Sequence, residues 1–257
     1  MHTIKIPLKK VHTDLITEKK LFGVKEEIIE ENNIKLIRTK NHNDYYSTIY
    51  FKDITDKNNY QNVQEIFIKE LKKYLKIQST DKILVIGLGN EKSTPDSLGP
   101  KVIDNILVTR YLFLLGEVEE GYINVCSFKP NVMGNTGIDS FSIINNIIEN
   151  TKVNKIIIID ALKTNTFENL VKTIQITNTG ITPGSGIGNY QKEITNKTIN
   201  KDIIVIGVPT VIDISNTINK DNYIVTPTNI DYIIEKLSIL IGNGINKTIH
   251  KNFLSTK

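Results

Sequence analysis

The 257-residue chain has one cysteine, no tryptophan, two methionines, four histidines and a single alanine. One cysteine excludes an internal disulfide. Cys126 sits in Ile123-Asn-Val-Cys-Ser-Phe128, which reads as a strand holding the thiol as a small hydrophobe; a reactive thiol is the other reading. His2, His12, His42 and His250 lie far apart, and none makes an HExxH or a short metal-ligand pair. A histidine-built metal site or a Ser-His triad is therefore not expected. No run approaches the ~20 apolar residues of a membrane span, and Ile156–Ile159 reads as a buried strand. The N-terminus MHTIKIPLKKVHTD carries lysines but no apolar stretch after them, so no secretory signal is expected and a cytoplasmic location is. Repeats and Pro- or Gly-rich linkers are missing too.

What is abundant is skewed. There are 46 isoleucines and 29 asparagines, and lysine outnumbers arginine 30 to 2. The skew points to A/T-rich coding, so glycine, proline and aspartate positions carry more information than isoleucine or lysine ones. The formal charge of +4 is far from that of a nucleic-acid arm.

Along the chain, residues 1–14 are basic and read as an arm. Glu18–Glu31 reads as a short polar helix. Ile34–Thr39 and Tyr45–Phe51 alternate as a hairpin, and Val63–Leu75 has helical spacing. From Asp81 onward apolar strands alternate with amphipathic helices. Strands are expected at 82–87, 122–127, 154–160, 171–177 and 202–208, and helices at 98–115, 136–150 and 228–241, the last capped by Thr226 or Thr228. The alternation predicts an α/β fold: a doubly wound, mostly parallel sheet with helices on both faces. Residues 15–78 are expected as an N-terminal added layer on a core sheet of residues 79–257, in one domain spanning 15–257.

In such sheets sites form at the carboxyl ends of strands. Five segments lie there: Gly87 to Pro100, Lys129 to Gly137, Asp160-Ala-Leu162, Asn178 to Asn189, and Gly207 to Asp213. Gly87-x-Gly89 follows a strand, but Lys92 takes the third glycine position, so the dinucleotide fingerprint fails; no segment fits a P-loop. Asp96 and Asp160 are expected at one sheet edge. Two carboxylates brought close cannot easily both ionise, which leaves one acid and one base at neutral pH, suited to activating water against a peptide carbonyl. The other readings are a helix cap for Asp96 and a structural hydrogen bond for Asp160. Asp213 is a weaker third candidate. The glycines at 180–188 either make tight turns or aim backbone N–H groups at an oxyanion or a peptide edge.

The stretches GLGNEKSTPDSLGPKVIDNILVTRYLF (87–113), EEGYINVCSFKPNVMGNTGIDS (119–140), IIIIDAL (156–162), IQITNTGITPGSGIGNYQKEI (174–194), IGVPTVIDI (206–214) and YIVTPTNID (223–231), with VHTDLITE (11–18), resemble the spore germination endopeptidase family. The resemblance implies a fold similar to hydrogenase maturation proteases and an atypical aspartate-dependent endopeptidase. Its substrates would be the small acid-soluble DNA-binding proteins of spores. It also implies a zymogen, a homotetramer, a forespore or spore-core location, no cofactor, and no direct contact with nucleic acid or membrane. The family's two essential aspartates map onto Asp96 and Asp160.

Family substrates are cut after an acidic residue in a pattern like T-E-(I/F)-A-x-E, which Thr13-Asp14-Leu15-Ile16-Thr17-Glu18 matches. Residues 1–14 are thus expected as a propeptide removed between Asp14 and Leu15; a tail with a chance match is the plain alternative. Backbone N–H groups of Gly87, Gly89 and Asn90, or of Gly184, Gly186, Gly188 and Asn189, are oxyanion candidates. Lys92, Lys101, Lys129 and Lys192 are candidates for reading an acidic substrate residue. The chain departs from the family pattern in a short loop after Asp213 and in Asn178, where an aspartate is usual. A loss of negative charge there would ease ionisation of a nearby aspartate, if position 178 tunes the pair. Two rivals stand beside this reading. A metal-dependent maturation-type protease would lose activity to a chelator, and a non-catalytic binding module would cut nothing.

Overall fold

The computed structural model describes residues 14–18, 25–184, 192–214 and 223–253. The helices are α1 (Lys57–Leu75), α2 (Leu98–Ile103), α3 (Arg110–Leu115), α4 (Met133–Thr136), α5 (Ser140–Thr151), α6 (Asn196–Ile199) and α7 (Ile230–Ile249). The strands are β1 (Lys25–Glu31), β2 (Ile34–Asn41), β3 (Asp44–Tyr50), β4 (Lys82–Gly87), β5 (Asn124–Phe128), β6 (Lys155–Thr164), β7 (Thr173–Thr177), β8 (Asp202–Asp213) and β9 (Ile224–Val225). Single 3-10 turns lie at Ile16–Glu18 and Thr94–Asp96. No helix among the described residues is long and apolar enough to cross a membrane.

The strands form one sheet in the order β1-β2-β3-β7-β8-β6-β4-β5, with β9 paired to β8. The parallel expectation holds for the four strands β5-β4-β6-β8; the sheet as a whole is mixed, because β7 and the N-terminal strands join antiparallel. The central strands are apolar on both faces because both faces are covered. Ile83, Val85, Ile157 and Ile159 point into one core with Val63, Phe67 and Leu71 of α1 and Ile234, Leu237 and Ile241 of α7. Their neighbours Leu84, Ile86, Ile156 and Ile158 point the other way, into a smaller core with Ile144 and Ile148 of α5 and Ile199 of α6. The period-2 alternation of strand side chains thus divides one isoleucine-rich pattern between two cores.

The N-terminal addition takes two forms: β1 to β3 extend the sheet edge, and α1 covers a face. Asp56 caps α1 by accepting from the Asn59 N–H at 2.8 Å, and Lys76 in the left-handed region ends it. Glu70 of α1 is buried and holds Arg38 of β2 at 2.7 Å and the Ser47 hydroxyl of β3 at 2.7 Å, tying helix to hairpin.

Several expected elements differ. The polar helix over Glu18–Glu31 is overturned for its described part: residues 25–31 are the edge strand β1, paired along its whole length with β2 and linked by Glu27 to Arg38 at 2.9 Å. The long helix over 98–115 is two helices. Asn246 of α7 accepts from the Leu107 N–H at 2.9 Å and donates to the Asn105 carbonyl at 2.8 Å, so a side chain from the far end of the molecule satisfies the backbone where the helix breaks. The helix over 136–150 is α4 followed by α5, which Asp139 caps through the Ser142 N–H. Neither Thr226 nor Thr228 caps α7; Asn229 occupies that position, and Thr226 bonds the Thr210 carbonyl.

Candidate active site

The loops after β4 and β7, the second half of β6 and the middle of β8 surround a cavity of about 790 Å³. Asp96, Asp160 and Asp14 all line it.

Asp96 is delivered by close backbone packing at the end of β4. A Cβ on Gly87 would lie 2.3 Å from the Gly99 carbonyl oxygen, so only glycine lets α2 sit against this strand end. The chain then doubles back through Gly89, which has φ +116 and whose Cβ would lie 2.0 Å from the Asp96 carbonyl oxygen. The Asn90 N–H donates to that same carbonyl at 3.0 Å. These constraints explain the glycines of this motif: they bring the 3-10 turn carrying Asp96 onto the sheet edge. Asp96 is not a cap, since Ser97 occupies the position before α2 and makes no side-chain cap bond.

Asp160 lies within β6, not at its end. β6 continues to Thr164 because β8 is long enough to pair with it throughout, through a register shift in which Leu162 faces Pro209 and Lys163 faces Val211. Proline lacks the N–H a regular ladder needs, which fits a bulge at this point. The segment Gly207 to Asp213, expected as a site loop, is therefore strand, and Asp213 ion-pairs with Lys163 at 3.5 Å. The Asp160 carboxylate accepts from the Ala161 N–H at 2.9 Å.

The electrostatics separate the two carboxyls. Burial pushes Asp96 up to about 6, against the pull of the Asn90 N–H. Burial, then the nearby Asp96 and Asp14 carboxylates, push Asp160 well above the usual carboxylate range. Half-buried at the cavity wall, with like charges facing it, Asp160 favours its neutral form.

The other candidates divide. Asn90 and Gly184 line the cavity, but the Asn90 N–H is already bonded to Asp96. Gly87 and Gly89 serve close packing. Gly186, Gly188 and Asn189 lie outside the described residues. Lys101 pairs with Glu235, Lys129 with Glu91 and Asp104, and Lys192 stacks on Phe141 at 3.9 Å, while Lys92 lies exposed in the turn before Asp96. Asn178 is a hairpin clamp: its Oδ1 accepts from the Tyr45 N–H at 2.7 Å and its Nδ2 donates to the Asn43 carbonyl at 3.0 Å. Asn178 is not among the residues that line the cavity. Burial pushes the Cys126 thiol up, as fits a packing role. Among the described residues no three His, Cys, Asp or Glu side chains group to hold a metal.

What sequence reasoning missed is how residues 14–18 are held. The Asp14 N–H donates to the Lys163 carbonyl at 3.1 Å, and the Lys163 N–H donates to the Asp14 carboxylate at 2.9 Å. The Ile16 N–H donates to Gln175 Oε1 at 2.8 Å, and Leu15 and Ile16 are buried. Tyr50 donates to the Thr17 hydroxyl at 2.8 Å. The sign of this docking in the sequence is the match of Thr13 to Glu18 to the family's cleavage pattern, which reads the arm as a tethered substrate.

The family model described as germination protease matches residues 7–222. Germination proteases of Geobacillus sp. (strain WCH70), Clostridium tetani and Clostridium acetobutylicum are 41%, 42% and 39% identical over 86%, 68% and 75% of this chain. The aligned regions are 59%, 55% and 58% of those relatives, so the chain spans less than two thirds of their length. A [NiFe] hydrogenase maturation protease HycI from Thermococcus kodakarensis matches 69% of this chain and 99% of its own with TM-score 0.41 and 14% identity, too loose a likeness to carry an assignment. On the extent of the family match, the chain belongs to the germination protease family.

Proposed function

We propose that the chain is an endopeptidase that cuts on the carboxyl side of an acidic residue, with Asp96 and Asp160 handling a water molecule. The observation that carries this reading is the company Asp14 keeps: the cavity that gathers the two aspartates also holds a peptide segment whose acidic residue is bonded to β6 on backbone and side chain. At neutral pH the pair retains one proton, on Asp160 because its environment disfavours charge more strongly. Asp96, with its carboxyl near 6, is then mostly ionised and serves as base. Water gives a proton to Asp96 as its oxygen bonds to the peptide carbonyl carbon. Asp160 gives its proton to the amide nitrogen and the C–N bond breaks to leave a carboxylic acid and an amine, which exchange a proton to become carboxylate and ammonium. The proton on Asp96 passes back to Asp160 for the next turnover.

On this reading residues 1–14 are an inhibitory arm and Asp14–Leu15 is the bond cut on activation. The substrates are small acid-soluble spore proteins in the forespore or spore core, and the assembly is a homotetramer. Support comes from the family and from the match between residues 13–18 and the family's cleavage pattern. The test is to incubate the purified chain, with residues 1–14 removed, with a small acid-soluble spore protein and sequence the products. New ends after acidic residues are expected, and neither Asp96→Asn nor Asp160→Asn should produce them. Undiminished cleavage by both variants, or loss to a chelator with rescue by a divalent ion, would refute the two-aspartate mechanism.

A further inference from the structure

Two backbone N–H groups are held on either side of the Asp14–Leu15 link. Before it, the Asp14 N–H donates to the Lys163 carbonyl at 3.1 Å. Beyond it, the Ile16 N–H donates to Gln175 Oε1 at 2.8 Å. The first bond is main chain to main chain. The second needs a side chain, and Gln175 is a buried residue, 6% exposed, on the cavity wall.

Strand register puts Gln175 in line with the aspartates. Gln175 of β7 pairs with Gly207 of β8, and Gly207 pairs with Asp160 of β6. Paired residues on neighbouring strands point to the same face, so Gln175, Gly207 and Asp160 form one row across three strands. Adjacent strands lie about 4.8 Å apart, which separates the backbones of Gln175 and Asp160 by about 10 Å. The middle of the row has no side chain of its own: a Cβ on Gly207 would lie 2.4 Å from Leu162 Cδ1. The two ends of the row thus face the cavity, one with a carboxyl and one with an amide. A buried amide oxygen that loses its donor costs free energy, because water does not replace the bond. Gln175 therefore favours a peptide that presents an N–H at this point. What it reads is backbone, and a link without an N–H cannot satisfy it.

We propose that Gln175 is a substrate-binding residue that fixes which peptide bond lies at Asp96 and Asp160. It accepts the main-chain N–H of the second residue beyond the cut, while the Lys163 carbonyl accepts that of the residue before the cut. The scissile link is held between the two. Its role in cutting rests on the peptidase reading above; its hold on residues 14–18 does not. Side-chain contacts elsewhere select which peptides bind, and Gln175 sets their register against the aspartates.

The test has two readouts. The first uses the chain with residues 1–14 removed and two peptides: Thr-Asp-Leu-Ile-Thr-Glu, and its analogue in which an ester oxygen replaces the isoleucine N–H. Mass spectrometry follows the cut between Asp and Leu. The amide peptide should have a kcat/KM about ten-fold or more above that of the ester, the scale of a buried acceptor left without its donor. Gln175→Met, similar in length but without the acceptor, should bring the two peptides to within about two-fold. Gln175→Glu, which keeps an acceptor oxygen, should retain the preference whatever its absolute rate. The second readout needs no activity. In the full chain, hydrogen exchange of the Ile16 N–H should be about ten-fold or more faster in Gln175→Met than in the wild type. Thermal unfolding establishes that each variant is folded, and the wild-type comparison of amide with ester needs no variant at all. Equal cutting of the two peptides by the wild type, a preference that persists in folded Gln175→Met, or Ile16 exchange unchanged in that variant would overturn the proposal. A chain that cuts neither peptide, yet shows the faster exchange in Gln175→Met, would instead sink the peptidase reading and leave the hold of Gln175 on the segment standing.

Discussion

The two halves of β6 share one ladder and do opposite things. Ile156 to Ile159 are wholly buried, two on each face, and join both cores. From Asp160 to Thr164 the same strand carries a carboxyl in a like-charged setting, a buried lysine paired to Asp213 and a buried threonine bonded to Glu18. The first half gains from burial. The second keeps polar groups where burial disfavours their charge, and it can do so because the first half and β8 hold the backbone in place. The contrast teaches that stability and chemistry lie end to end here, a few residues apart on a single strand.

Substitutions on either side of Ile159 should break that comparison in different ways. The largest effect is expected from Asp160→Asn, which should lower cleavage by at least about a thousand-fold. It should also raise Tm near neutral pH. The raised carboxyl of the wild type stabilises the fold when protonated, below about pH 4, and that stability is lost as pH rises through its folded value. The variant escapes this loss, so differential scanning calorimetry should show the gain fading as the pH falls towards 4. Next comes Ile157→Ala, with an expected loss of roughly 2–5 kcal/mol in urea unfolding and a pH profile of cleavage that does not move. The smallest effect belongs to Asn178→Asp. It removes one exposed donor bond to the Asn43 carbonyl, costs less than about 1 kcal/mol, and should leave the pH profile unchanged because the residue clamps a hairpin.

Much of the parallel centre is readable from sequence because buried strands are short apolar runs with a sharp end, and 82–87, closed by Gly87, and 154–160, whose isoleucine run stops at Asp160, have that form. Asp96 and Asp160 are readable for a related reason: a carboxyl beside such a strand end is chemically out of place. The misread elements depend on distant partners. Lys-Glu-Glu-Ile-Ile-Glu-Glu at 25–31 is polar enough for a helix, and only pairing with β2 makes it a strand. The break between α2 and α3 needs Asn246, and the anchoring of Glu18 needs a threonine, a backbone N–H and an asparagine that form no motif. β6 runs past Asp160 because β8 does, a length set between strands and not within either.

The central claim is that Asp96 and Asp160 hold a proton between them at neutral pH. Carboxyl carbon-13 NMR titration of the full chain, with the two signals assigned by Asp96→Asn and Asp160→Asn, tests it directly. The expected result is Asp96 titrating near 6 and Asp160, buried and facing the Asp96 and Asp14 carboxylates, titrating well above the usual carboxylate range. Two signals that both titrate near 4, like exposed aspartates, would contradict it.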